Sequence, residues 1–437
     1  MTKCTQSAFE FPSVKKRKVQ CEFNGGEITS DGGILLLRQA DRLTGLMRAV
    51  NAAIADPRDP ARVIHDQLSL LRQRVYALAC GYEDLNDHQD LRHDPAVQTA
   101  VESDARLASA STLCRLEQRA GRAAAVALHE VLVDRFIASH RRAPKKLVLD
   151  FDATDDPVHG NQQGRFFHGY YDHYCFLPLY VFCGDRLLVS YLRPSKIDAA
   201  KHAWAILALL VKRLRQAWPK VRIVFRGDSG FCRWRLLSWC ERHDVGYLVG
   251  IAKNARLEAK IAADMDSAAA CHRDTAQKVR WFRAFQYAAR SWDRPRCVIA
   301  KIEHLEKGSN PRFVVTNLPG LAQRLYEEIY CARGEMENRI KEQQLGLFAD
   351  RTSSHYWWAN QLRLLLSSLA YTLIETVRRL ALAGTRLARA QVNTIRLRLL
   401  KIGAVILRNT RRVRFLLSSA YPDKALFLHA AAKLTPG

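Results

Sequence analysis

Three acidic residues, each beside an apolar run, carry the chemistry that this chain of 437 residues is equipped to do. In the stretch YCARGEMENRIKEQQ, helical spacing of about 100° per residue puts Tyr330, Arg333, Glu337, Lys341 and Gln344 on one side. An apolar stripe of Leu325, Ile329, Ala332, Met336 and Ile340 runs beside them, and Glu335 projects elsewhere. Cations next to a lone carboxylate hold it ionised and also attract phosphate, which is the setting for metal-assisted phosphodiester chemistry. Upstream, KKLVLDFDATDD reads as a strand with Leu147, Leu149 and Phe151 facing one way and Val148, Asp150 and Asp152 the other. Two carboxylates therefore leave its end together, beside Thr154. VRIVFRGDSGF reads as a second buried strand, ended by Asp228. Taken singly, each acid fits a turn or a solvated, salt-bridged face equally well. Two strand-end carboxylates in neighbouring units, followed by a helix glutamate, are how a three-carboxylate metal site is assembled from distant sequence.

The elements that must position these groups follow from periodicity and turn signals. The first 23 residues carry the basic run Lys15-Lys16-Arg17-Lys18 between Phe9, Phe11 and Phe23. Such a run fits a phosphate-contacting or a solvated arm. Residues 31–140 are mainly helical: Ser30 and Asp31 suit a helix N-cap, VIHDQLSLLRQRVYALACGYED is amphipathic and stops near Gly81, and SASTLCRLEQRAGR is a further helix. From Pro144 the character changes to strands, with a turn at Gly184-Asp185 and helices over 201–217 and 233–243. Residues 255–318 read as a β-rich insertion. Helix returns over 321–346 and 356–382. The tail from Arg378 to Arg414 holds eleven Lys or Arg and no acid, and its apolar spacing predicts a basic helix pair.

Composition bounds the partners. A net charge of +25, most of it from arginine, favours a polyanion, because Lys and Arg release counterions from a phosphate backbone. No apolar run approaches the length of a membrane span, and the N-terminus lacks the apolar core of a signal peptide, so a soluble cytoplasmic protein without a membrane partner is expected. Eleven cysteines without a CxxC pair indicate reduced thiols and neither a zinc ribbon nor a disulfide framework.

In order and spacing these blocks resemble the DDE transposases of bacterial insertion sequences, and within them the insertion-sequence-1380-type family. TSDGG, GYEDLNDHQDLRHDP and LASASTLCRLEQ are similar to its leading signatures; LDFDATDDPVHGNQ, FRGDSGF and YCARGEMENRIKEQQLGLFADRTS are similar to its three catalytic blocks. The resemblance implies Asp152, Asp228 and Glu337 as catalytic acids and ligands of two Mg2+ ions, with Mn2+ as a substitute and Asp150 in reserve for the first acid. It implies that Tyr330 and Arg333 hold the DNA end. Gln344 stands where the signature has its final lysine, and Lys341, one turn after Glu337, is the nearest replacement. The implied fold is α/β: an RNase H-like core, a mixed sheet flanked by helices, with a β-rich insertion and a mainly helical N-terminal region before it.

Five segments are expected: a DNA-binding region over 1–143, the first part of the core over 144–254, the insertion over 255–318, the last catalytic helix and the rest of the core over 319–375, and a basic helical region over 376–437. The implied activity is metal-dependent cleavage at element ends and strand transfer into target DNA. Its partners would be double-stranded DNA, both terminal inverted repeats and target, bound by a homodimer in a bacterial cytoplasm. An RNase H-like nuclease without strand transfer, and an inactive or domesticated DNA-binding protein, are the competing readings.

Overall fold

The computed structural model describes residues 8–435. Two compact units are present: Met1–Asn51, Asp56–Leu116 and Leu373–Gly437 form one, and Ala52–Ala55 with Glu117–Thr372 form the other.

The first unit begins with an exposed hairpin, β1 (Phe9–Val14) and β2 (Arg17–Cys21), so the basic run lies across its turn. The short β3 (Ile28–Thr29) follows. Helix Gln67–Cys80 starts where Asp66 accepts from the Ser69 amide at 2.6 Å and ends at left-handed Gly81, the stop expected of it. Asp31 does not cap the next helical turn as its position predicts. Its buried carboxylate instead accepts from Tyr82 Oη at 2.6 Å and pairs with Lys401 at 2.8 Å, because a buried charge gains more from a cation than from an amide.

In the second unit β4 (Lys146–Ala153) leads into three short strands, β5 (Asp156–Pro157), β6 (Phe166–His168) and β7 (His173–Phe176). The hairpin β8 (Leu179–Cys183) and β9 (Arg186–Tyr191), then β10 (Arg222–Gly227) and β11 (Val245–Ile251), complete the centre of the sheet. β12 (Val279–Tyr287), β13 (Arg296–Leu305), β14 (Gly308–Ser309) and β15 (Arg312–Thr316) finish it. The order is β12-β13-β15-β11-β10-β4-β8-β9, with β14 on β13. β4, β10 and β11 are parallel; β8, β9 and the late strands are antiparallel. This is a mixed, helix-flanked sheet, with the acidic strand β4 between parallel β10 and antiparallel β8. One face of β4, β10 and β11 (Leu149, Phe151, Phe225, Tyr247, Val249) packs on Leu207, Leu214, Leu237 and Cys240 from the helices Ala203–Ala217 and Trp234–Arg242. Alternation leaves the opposite face of β4 to Asp150 and Asp152.

Three stretches depart from the sequence reading. Residues 255–275, placed in the β-rich segment, are helical (Ala255–Lys260 and Ala262–Thr275), which their alanine content favours. β12 to β15 then pair onto the free edge of β11 and cover it. In the first unit, the predicted basic helix pair is interrupted by a hairpin, β16 (Ala404–Asn409) and β17 (Arg412–Leu417), with β3 on its edge. Asn409 makes its turn by accepting from the amides of Arg411 and Arg412, both at 3.0 Å, and the alternating Val, Ile and Phe residues fit a pleat as well as a helix. Finally, the stretch around Glu337 is not one regular helix. It is a π-helix over Leu325–Tyr330, a 3-10 turn over Cys331–Arg333 and an α-helix only from Gly334–Leu347. Among the described residues no helix is long and apolar enough to cross a membrane.

Candidate active site

Strand register brings the two aspartates together. β4 and β10 are parallel neighbours with Asp150 opposite Arg226 and Phe151 opposite Gly227. One step further, Asp152 and Asp228 leave adjacent strands at the same end, roughly 5 Å apart in backbone spacing. Asp228 turns there because its Oδ1 accepts from the Gly230 amide at 2.9 Å, capping the turn Ser229–Phe231.

The third acid arrives on the helix Gly334–Leu347. Arg333, at its N-cap, donates to Glu337 one turn on and reaches Asp152 with Nη1 at 3.4 Å. Glu337 is about half exposed and Asp152 largely buried, at 45% and 15% of the side chain. The charges register on one another. Burial pushes the Asp152 carboxyl up to about 7; Arg333 opposes this, while the charges of Asp228 and Glu337 add to it. Burial likewise raises the Tyr330 phenol, with Arg333 pulling it down and Asp228 and Glu337 pushing it up. Tyr330 Oη lies so close to β11 that a Cβ on Gly250 would sit 2.6 Å from it and 2.9 Å from the Ser229 amide. Only glycine leaves room for the phenol beside the Asp228 turn.

Asp152, Asp228, Glu337, Tyr330 and Arg333 lie near enough for their charges to act on one another. Lys341 is exposed, and Gln344 is used structurally, its Nε2 donating to the Asp155 carbonyl at 3.0 Å. Glu335 is exposed, and its charge adds to the rise at Asp150. Asp150 shares the face of Asp152 but is 2% exposed and committed to Arg226, which donates to both its oxygens, through Nε and through Nη2 at 2.6 Å.

Sequence reasoning passed over Arg226. The same guanidinium donates through Nη1 to the carbonyl of Ile329, within the π-helix, so one side chain ties both acid-bearing strands to the element that delivers Tyr330. A carbonyl claimed from outside is a physical reason for the helix to change register there. The available signal was the second arginine of the run VRIVFRG, two residues before Asp228 as Asp150 is two before Asp152.

Hard carboxylate oxygens on three separate elements suit a divalent cation such as Mg2+, and even with Arg333 beside it burial leaves the Asp152 carboxyl raised to about 7. Among the described residues no three His, Cys, Asp or Glu side chains are drawn together tightly enough to hold an ion. The Arg333 guanidinium instead supplies the positive charge between Asp152 and Glu337. Its Nη1, buried, has no hydrogen-bond acceptor.

A family model described as transposase DDE domain group 1 matches residues 11–436. No curated protein matches the chain. Among solved structures it is similar to a piggyBac transposase, in the cryo-EM structure of a synaptic complex with hairpin DNA. The identity is 11% and the TM-score 0.44, over 85% of this chain and 79% of that one.

Proposed function

The chain belongs to the DDE-domain transposases of group 1, and on that premise we propose that it cuts DNA at the ends of an insertion sequence and joins those ends to target DNA, using a divalent metal. The observation that carries this reading is the effect of the Asp228 and Glu337 charges on buried Asp152 beside one guanidinium. Those three carboxylates would hold two Mg2+ ions, or Mn2+ in their place. The chemistry that such ions would supply there is activation of a water or 3′-hydroxyl and neutralisation of the departing oxygen of the phosphodiester.

The protein's own residues supply the positioning. Arg333, beside Asp152 and Glu337, would give a phosphate oxygen entering there a charge-assisted hydrogen bond. Tyr330, held by the close approach of Gly250, is a rigid wall against which the DNA end packs. Arg226 keeps the strand ends and this helix in one arrangement, which matters because sub-ångström placement decides in-line attack. Double-stranded DNA is the partner: terminal inverted repeats first, target second, with two ends held by two copies of the chain. Residues 1–143 and the basic stretch 376–437 would grip its backbone. The insertion-sequence-1380 type and a bacterial cytoplasmic setting belong to the same proposal.

The test is incubation of purified protein with labelled element ends, target DNA and Mg2+. Cleaved ends together with end–target joint molecules are expected. Cleavage without joint molecules would make the protein a nuclease, and neither product would overturn the reading.

A further inference from the structure

The three short strands after Asp152 form a separate sheet in the order β5-β7-β6. Its root is buried: Cys175 and Phe176 are 0% exposed, Phe176 packs edge-to-face on Trp357 at 5.4 Å, and Ser195 donates to the Phe166 carbonyl at 2.8 Å. Its outer part is not. Phe167 is 54%, Tyr174 48% and Tyr170, at the tip, 84% exposed. Large aromatic rings at this exposure forfeit burial that the adjacent core offers, so their placement needs a reason outside folding.

Register supplies the geometry. Phe167 and Tyr174 are directly opposed across β6 and β7, so they share one face, with rings edge-to-face at 5.7 Å. The Arg165 guanidinium lies over the Tyr174 ring at 4.6 Å and is steadied by donating to Asn161 Oδ1 at 2.6 Å. On the other face the Lys196 ammonium lies over Phe166 at 5.5 Å. Two further contacts fix the flap to the acidic centre. His173 meets Asp155, three residues beyond Asp152, at 2.9 Å, and Gln344, on the helix carrying Glu337, bonds the carbonyl of the same Asp155 at 3.0 Å.

We infer that this flap is a stacking platform for unpaired bases at the DNA end being cut, with Phe167, Tyr174 and Tyr170 as ring surfaces and Arg165 as the phosphate or base-plane contact. The inference rests on the DNA-cutting reading above. Open aromatic faces interleaved with cations suit single-stranded nucleic acid, where each base offers a π-face and each linkage a charge. A protein partner would instead favour an interface core depleted in charge. Duplex DNA keeps its base faces stacked inside, so rings of this kind meet bases only where pairing has opened, and the flap stands beside the residues that would cut there.

The test uses the full chain without divalent ion, so that binding is read apart from cleavage. The probes are a short oligothymidylate, a blunt duplex, and the same duplex with an unpaired end carrying 2-aminopurine. Wild type is expected to quench the unpaired 2-aminopurine and to bind the open-ended duplex more tightly than the blunt one. Phe167→Ala with Tyr174→Ala should remove the quenching and weaken the oligothymidylate and open-ended complexes by about tenfold, leaving the blunt duplex within about twofold. Phe167→Trp with Tyr174→Phe should restore both signals, which a merely misfolded flap would not. Equal weakening of all three probes, or none, overturns the inference, as does a variant whose only change is loss of self-association in sedimentation. With Mg2+ added, wild type that stacks bases but never cuts would sink the cleavage reading and leave this one standing. Normal cutting and unchanged stacking by the alanine variant would do the reverse.

Discussion

Arg226 donates to both carboxylate oxygens of Asp150 from the neighbouring parallel strand, in the middle of the central sheet. Burial pushes the Asp150 carboxyl up and Arg226 pulls it back, so the two stand as a buried pair whose partners are already satisfied. Asp152, two residues on and on the same face, accepts from the Ala153 amide at 3.0 Å and has a cation only in the looser approach of Arg333 at 3.4 Å. On the proposed function, that difference separates a structural carboxylate from a reactive one.

The first prediction follows from this separation. Asp152→Asn should abolish cleavage in the labelled-end assay and leave thermal unfolding near that of the wild type. Asp150→Asn should instead destabilise the fold by roughly 3 kcal/mol, because it leaves the Arg226 charge buried without its partner. Asp150→Asn with Arg226→Met should recover part of that loss. A fully folded but inactive Asp150→Asn, alongside an active Asp152→Asn, would exchange the two roles.

A second prediction concerns the two glutamates. Within the α-helix Gly334–Leu347, Glu335 and Glu337 differ by about 200° in direction, so only one can face the strand ends. Glu337→Gln should stop cleavage, and Glu335→Gln should cut at a rate within about twofold of the wild type. Measured single-turnover rates that reversed this order would refute the assignment of the third acid.

Salt should weaken DNA binding steeply. If six or more backbone phosphates are neutralised by the basic surface, affinity should fall on the order of a thousandfold between about 50 and about 200 mM salt. Fluorescence anisotropy on a duplex end reads this directly. A flat response would mean that the +25 charge is not spent on phosphate.

Acid should act on the late strands through Glu303. Burial alone would raise its carboxyl, but hydrogen bonds from Lys301, Arg280 and Lys278 outweigh that and lower it from 4.5 to about 2. A depressed carboxylate contributes its stability fully above the unfolded value, and the contribution is lost as pH falls through the folded one. Denaturant unfolding of wild type against Glu303→Gln should therefore show a stability gap that is constant above about pH 5 and closes toward pH 2. A gap that widened on acidification would contradict the sign.

The amino-acid sequence by itself determined the alternating faces of β4, the strand-ending place of Asp228 and the helical offset between Glu335 and Glu337. Each depends on a local repeat, two residues in a strand and 3.6 in a helix, that side-chain polarity displays directly. The family was legible for a similar reason: three acidic blocks in fixed order survive as short strings.

What only the tertiary structure decided depends on partners distant in the chain. Asp150 and Asp152 are equivalent in the pattern of β4, and the register that sets Arg226 opposite Asp150 tells them apart. The turn from π-helix to α-helix before Glu337 arises where Ile329 gives its carbonyl to that same arginine, a competitor that local propensity does not contain. The C-terminal hairpin has the same origin. Apolar residues in 404–417 satisfy either period, and pairing of Ala404 with Thr29, far back in the chain, settles it in favour of the strand.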